Sequence, residues 1–304
     1  MQLQKARSLL KDCTMCPREC HADRLEDKRG YCGMSSTVFA ARAALHMWEE
    51  PCISGEKGSG AVFFSGCGLR CCFCQNREIA IGDCGKEISI ERLADIFLEL
   101  EQKGAANLNL VTGAHYVPQI LLALEDARRR GCMLPVVYNS SGYEKIETLQ
   151  MLKGYVDVYL PDLKYLDQDL AKMFSHAPDY PEKAAAAIEE MVNQTGSCEF
   201  RADGYIKKGT IVRHLILPGH TRNSIRVLDY LHKTYGDKIY ISIMNQYTPV
   251  FHQEKYPELN RKVTAREYQK VLDAAMEMGV ENGFFQEGET AKESFIPAFD
   301  YEGI

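Results

Sequence analysis

The chain has 304 residues, 45% of them apolar and 26% charged. That suits one large α/β domain, or one such domain with a small appendage. A formal net charge of −6 gives no electrostatic footprint for nucleic acid. No run of about 18 apolar residues marks a membrane span. Residues 1–11 are charged and lack the apolar stretch of a signal peptide, so a cytoplasmic protein is expected, with no nucleic-acid or membrane partner.

Cysteine usage then becomes informative. There are 12, and in a reducing compartment clustered cysteines point to metal or redox chemistry before disulfides. Cys13, Cys16, Cys20 and Cys32 have C-x2-C-x3-C-x11-C spacing, which suits one metal centre. Pro17 stiffens the loop, and Gly30 and Gly33 lie close to Cys32. All-sulfur ligation permits a 4Fe–4S cluster or zinc, the cluster being preferred. A cluster would relay electrons, and zinc would staple a segment with little core. A vacant segment is the third reading. Residues 1–55 are expected as a small Cys-rich extension, and residues 56–304 as the core domain.

From about residue 61 the text alternates. Strands are expected at 61–65, 108–111, 134–138, 156–160, 211–217 and 239–244, with one more at 283–286. Between them, Leu93, Ile96, Phe97 and Leu100 form a helical stripe, capped by Ser89 and ended by Gly104. Ile120, Leu121, Leu124 and Ala127 repeat it before Gly131, with Arg128, Arg129 and Arg130 complementing the helix dipole. Tyr268, Val271, Leu272, Ala275 and Met276 form a third, with Thr264 and Glu267 at capping-box spacing. Strand–helix alternation argues for βα units and a parallel sheet. A partial (β/α) barrel and a doubly wound sheet both fit. In either, ligands gather at the carboxyl ends of strands.

Directly after the first of these strands comes Ser65-Gly-Cys67-Gly-Leu-Arg-Cys71-Cys72-Phe73-Cys74-Gln-Asn76. Cys67, Cys71 and Cys74 have C-x3-C-x2-C spacing. Three thiolates hold three irons of a 4Fe–4S cluster and leave the fourth open. Gly66 and Gly68 let the loop bend tightly. A closed zinc site, with Cys72 or Cys84 as fourth ligand, is the alternative.

With this motif the chain resembles the radical SAM (S-adenosylmethionine) superfamily, and within it the pyruvate formate-lyase activating enzyme-like branch. The likeness extends through Glu49-Glu-Pro-Cys-Ile-Ser-Gly55, Gly58-Ser-Gly-Ala-Val-Phe-Phe64 and Val111-Thr-Gly-Ala-His-Tyr-Val-Pro118. It continues in Tyr138-Asn-Ser-Ser-Gly-Tyr143, Tyr159-Leu-Pro-Asp-Leu-Lys-Tyr165, Arg213-His-Leu-Ile-Leu-Pro-Gly219, Gln246-Tyr-Thr-Pro249 and Phe295-Ile-Pro-Ala-Phe-Asp300. The resemblance implies a partial (β/α)6-type barrel. It implies that SAM chelates the open iron and is cleaved by one electron to a 5′-deoxyadenosyl radical, which abstracts hydrogen from a substrate. It also implies a protein or peptide substrate and an external electron donor such as flavodoxin or ferredoxin.

By the same resemblance, Phe73 packs on the adenine of SAM. Thr112, Gly113 and His115 follow the second of these strands, where related enzymes carry a Gly-Gly-Glu sequence; the acid is missing here, and His115 is either a SAM or substrate contact or a helix-opening residue. Asn139 and Ser140 suit ribose hydroxyls or the SAM carboxylate, and also helix capping before Tyr143. Asp162 and Lys164 face methionine and substrate, or pair with each other in a plain salt bridge on one face of an extended chain. Arg213 is a candidate for the carboxylate, and Gln246 for adenine or substrate. His214 alternates away from Arg213.

Three functions are weighed: activation of a partner enzyme by glycyl hydrogen abstraction, radical modification of another peptide or small molecule, and a non-enzymatic iron–sulfur carrier or sensor. The first is favoured by the length of the resemblance. The second draws on the missing acid and on auxiliary cysteines that precede the triad, where activating enzymes with a ferredoxin-like insert carry theirs after it.

Overall fold

A computed structural model describes residues 3–285 and 297–304. Its strands are β1 (Val38–His46), β2 (Ser59–Phe64), β3 (Lys86–Ile88), β4 (Leu108–Val111), β5 (Val136–Ser140), β6 (Val158–Pro161), β7 (Glu199–Phe200), β8 (Ile206–Leu215), β9 (Tyr240–Met244) and β10 (Gly283–Phe285). The sheet order is β10-β9-β8-β6-β5-β4-β2-β1-β3, with β7 paired to β8. Along that order every pair from β2 to β10 is parallel, whereas β1 is antiparallel to both β2 and β3, and β7 is antiparallel to β8.

Six parallel strands, β2, β4, β5, β6, β8 and β9, thus succeed one another in chain order, each on the same side of the last. A doubly wound sheet would reverse that order at a switch point. The α/β fold is therefore of the partial (β/α)6 type, with β10 as a further parallel edge. β2, β4, β5 and β6 are buried along their whole length, as sheets covered on both faces require.

β1 was not expected as a strand. It carries Ala40, Ala41, Ala43 and Ala44, a poor strand composition by propensity. Pairing with β2 decides its state, from Ala40 against Phe64 to His46 against Ser59. Residues 38–46, inside the stretch expected as a Cys-rich extension, are thereby part of the main sheet. On the far side of β1, Ala43 N–H donates to Glu302 O (2.8 Å) and Tyr301 N–H to Ala41 O (3.1 Å). Arg42 holds this C-terminal strap through Asp300 at 2.6 Å and through Glu302.

The expected helices form. Ile90–Gln102 buries Leu93, Ile96, Phe97 and Leu100, and Ser89 Oγ accepts from Arg92 N–H at its start. Each such side chain contributes roughly 2 kcal/mol on leaving water. Val117–Arg129 buries Ile120, Leu121, Leu124 and Ala127. Arg128 caps the chain beyond it, donating to Cys132 O and Leu134 O. Ala265–Glu277 opens with the Thr264–Glu267 capping box and buries Val271 and Ala275, but Met276 is 63% exposed and lies off the stripe. Gln286, in the last expected strand, and residues 295–296 of the final motif lie outside the described residues.

Candidate active site

β2 delivers the chain to the cysteine loop. Gly66 turns it with φ +89°, a conformation that favours glycine, and its N–H donates to Ile79 O at 2.7 Å. Two further donors face sulfur: Leu69 N–H to Cys67 Sγ (3.4 Å) and Ser175 Oγ–H to Cys71 Sγ (3.0 Å). Cys67, Cys71 and Cys74 all line one cavity at the carboxyl ends of the strands, whereas Cys72 and Cys84 do not. Cys84 Sγ instead donates toward Phe299 O at 3.6 Å. Burial, reinforced by the charges of Cys71 and Cys67, pushes the Cys74 thiol up to about 12, and burial raises Cys71 as well. Such thiols are deprotonated by metal rather than by water.

The donor set suits a cubane: three thiols on one glycine-bounded loop would hold three irons and leave the fourth free for another ligand. Among the described residues no three His, Cys, Asp or Glu side chains converge on a single-ion position. A cubane does not require that convergence, because its thiolates bind separate irons.

The opposite wall is an interlocked polar group. Arg213 Nε donates to Asp162 Oδ1 (3.1 Å), Nη1 to Glu49 Oε2 (3.2 Å) and Nη2 to Asn139 Oδ1 (2.6 Å). Lys164 Nζ donates to Asp162 Oδ2 at 2.5 Å. Glu49 Oε1 accepts from Asn109 (2.9 Å) and Asn139 (3.2 Å). Burial alone would raise Asp162, but Lys164 and Arg213 outweigh it and hold the carboxyl below its usual range. For Lys164 and Arg213 the order is the reverse: burial disfavours their charge, and the adjacent carboxylates overcome it and push both upward. Two carboxylates thus balance two cations, a surface matched to a zwitterionic amino-acid group.

Of the residues singled out in the sequence, Phe73, Thr112, Asn139, Ser140, Asp162, Lys164, Arg213 and Gln246 line this cavity with the triad. Phe73 also meets Tyr165, Phe174 and Tyr247 at ring-centroid distances of 6.2–6.5 Å. Thr112 has φ +60°, strained for a β-branched residue, and its N–H donates to Asn139 O. Gly113 and His115 are placed elsewhere. A Cβ on Gly113 would meet Ile120 Cδ1 at 2.7 Å, so the glycine serves helix packing. His115 is turned back, its Nε2 at 2.8 Å from Ser65 O, and burial with the Arg24 charge pulls it down to about 3.

His115 borders a second, small cavity together with Cys16, Cys32, Cys67, Thr112 and Glu144. The N-terminal cysteines therefore stand behind the triad loop. Cys13 and Cys32 are buried, Cys16 is half-buried and Cys20 is exposed.

Glu49 and Trp48 line the main cavity, yet sequence reasoning assigned them no role. Glu49 belongs to the Glu49–Gly55 segment of the family resemblance, but its place on the wall depends on β1 joining the sheet. His214, expected to alternate away, does so: its Nδ1 lies 2.7 Å from Leu163 O.

The Radical SAM superfamily model matches residues 61–231. An uncharacterized protein of Methanocaldococcus jannaschii, MJ0674, is 28% identical over 284 residues, covering 90% of this chain and 77% of that protein. Two solved structures of Streptococcus suis SuiB are also similar. The one bound to S-adenosylmethionine has a TM-score of 0.47 at 15% identity, covering 74% of this chain and 46% of that chain. The one bound to the precursor peptide SuiA has a TM-score of 0.47 at 16% identity, covering 74% and 48%. This chain spans about half the length of those SuiB chains. No helix among the described residues is long and apolar enough to cross a membrane. With the family match covering more than half of the chain, this protein belongs to the radical SAM superfamily, enzymes built around a 4Fe–4S cluster and S-adenosylmethionine.

Proposed function

We propose that the chain binds a 4Fe–4S cluster through Cys67, Cys71 and Cys74, cleaves SAM there, and directs the resulting radical at a glycine of a protein partner. The observation that carries the first part is the balanced wall of Glu49, Asp162, Lys164 and Arg213 on the cavity that also holds the triad. Bound together, cluster and SAM supply one-electron cleavage of the sulfonium C–S bond to a 5′-deoxyadenosyl radical. The residues of this chain do the positioning. Arg213 offers charge to the SAM carboxylate, and Asp162 and Glu49 offer theirs to its ammonium group. Phe73 offers its ring to adenine, and Asn139 and Ser140 offer polar atoms to the ribose. The aromatic group around Phe73 excludes water from the reacting centre.

Anaerobic reconstitution followed by reduction with dithionite tests this reading. The expected product is 5′-deoxyadenosine, abolished in the Cys67/Cys71/Cys74→Ala variant. Intact protein that holds iron and yields none overturns it. The glycyl target is supported by the length of the resemblance to the activating-enzyme branch, and a candidate partner should then show a glycyl-radical EPR doublet. A second reading, modification of another peptide or a small molecule, is favoured by the Thr112-Gly113-Ala114 segment without an acid. Under it the doublet is absent and a deletion strain accumulates the unmodified substrate.

A further inference from the structure

Arg24 is buried completely. Its guanidinium donates twice to Ser35 O (3.0 and 2.6 Å), once to His115 O, and toward Cys13 Sγ at 4.0 Å. The Tyr116 ring lies 5.5 Å away. None of these partners is a carboxylate. A buried cation without an anion is costly, by several kcal/mol in general. The anion-forming groups at hand are cysteines, with Cys13 in contact. A permanent positive charge therefore sits where four cysteines would gather negative charge as thiolates.

A second relationship is independent of charge. Cys16 and Cys32 pack directly on the triad loop. A Cβ on Gly68 would lie 3.6 Å from Cys16 Sγ, and one on Gly66 would lie 3.0 Å from Cys32 O. Cys16, Cys32 and Cys67 border the same small cavity. Arg18 fastens the two segments, donating to Gly68 O (2.8 Å) and Ser175 O (3.1 Å), and the Ser175 hydroxyl in turn donates to Cys71 Sγ.

We infer that Cys13, Cys16, Cys20 and Cys32 hold a redox-active iron–sulfur cluster that passes its electron to the triad centre across the contact of Cys16 and Cys32 with the Cys67 loop. This rests on the reading of the triad as a cluster site. One electron leaves the reduced N-terminal cluster, which is oxidised, and enters the triad cluster, which is reduced; no bond forms or breaks and no proton moves. The electron comes from a low-potential one-electron protein carrier of the iron–sulfur or flavin type, approaching on the side of exposed Cys20. Arg24 offsets the added negative charge on reduction. Zinc at the same thiolates has no redox chemistry and relays nothing.

The test uses the full chain in two variants, purified and reconstituted anaerobically with iron and sulfide. Wild type should hold about eight irons, and each variant about four. In Cys67/Cys71/Cys74→Ala, the remaining iron should be reduced by ferredoxin and give an EPR signal indifferent to SAM. In Cys16→Ala/Cys20→Ala, dithionite should still reduce the triad cluster and SAM should still change its signal, but reduction by ferredoxin should slow at least tenfold. Zinc or no iron in the triad variant overturns the inference, as does equally fast reduction by ferredoxin in the cysteine double variant. If the double variant does not fold, the triad variant decides alone by its metal and its reduction by ferredoxin. Failure of the dithionite-reduced, iron-loaded double variant to cleave SAM would instead count against the proposed function.

Discussion

Arg213 and Glu49 are 164 residues apart in the chain, and their side chains meet at 3.2 Å on the wall of the cavity that holds the cysteine triad. Glu49 follows the antiparallel strand β1, and Arg213 lies on the parallel strand β8. The cavity is therefore completed only when the N-terminal part of the chain joins the sheet. Glu49→Gln should lower SAM affinity about tenfold, equivalent to about 1.4 kcal/mol. It should lower stability by about 2 kcal/mol, less than for a fully severed buried pair because Asp162 still partners Arg213. Trp48, the single tryptophan, lines the cavity, so quenching of its fluorescence on titration with SAM measures the first effect. Thermal unfolding measures the second.

The hydroxyl of Ser175 donates to Cys71 Sγ at 3.0 Å and also meets Tyr165 Oη at 3.0 Å. Hydrogen bonds to cluster sulfur favour the reduced, more negative state. Ser175→Ala should therefore shift the triad potential to a more negative value while leaving iron content unchanged. Potentiometric EPR titration checks the direction.

Glu144 is buried, and that burial lifts its carboxyl to about 8, even though bonds from Ser140 and Tyr138 pull the other way. Its folded value lies above its unfolded one, so the native state keeps a proton that the unfolded chain releases. Stability from this group is full below the ordinary glutamate range and declines as pH rises from about 4.5 to about 8, by at most about 5 kcal/mol. Glu144→Gln should flatten that slope. Denaturant unfolding at pH 5 and pH 8 compares the two.

Gly66 and Gly104 both have positive φ, +89° and +83°. At Gly104 a Cβ meets nothing within 4 Å, while at Gly66 it would run into Met34 Cγ. Gly104→Ala should cost about 1 kcal/mol, from backbone strain alone. Gly66→Ala adds a clash that moves either the triad loop or the Cys32 segment, so it should also lose iron. Iron content and unfolding midpoints of the two variants check the contrast.

Local chemistry was legible in the text. Triad spacing, the Thr264–Glu267 capping box and three helical stripes depend on residues a few positions apart, and six strands follow from short-range periodicity. β1 was illegible because four alanines carry little strand preference; partner strand β2 and the C-terminal strap hold it extended. Glu49 was missed for the same reason. The sequence leaves His115 as a cofactor or substrate contact or as a helix-opening residue, because a residue next to a strand end can turn either way; it lies in the turn that opens the helix Val117–Arg129, held inward against Tyr116 and Ser65.

The sequence by itself determined the three-thiol loop, the four-cysteine group and the α/β alternation, because each is encoded in near-neighbour spacing. Only the tertiary structure decided that the strands run in one unreversed order, that Glu49 and Arg213 close the same wall, and that Cys16 lies against the triad loop. Those outcomes rest on contacts between segments tens to hundreds of residues apart, whose pairing is set by packing and charge balance rather than by any local pattern.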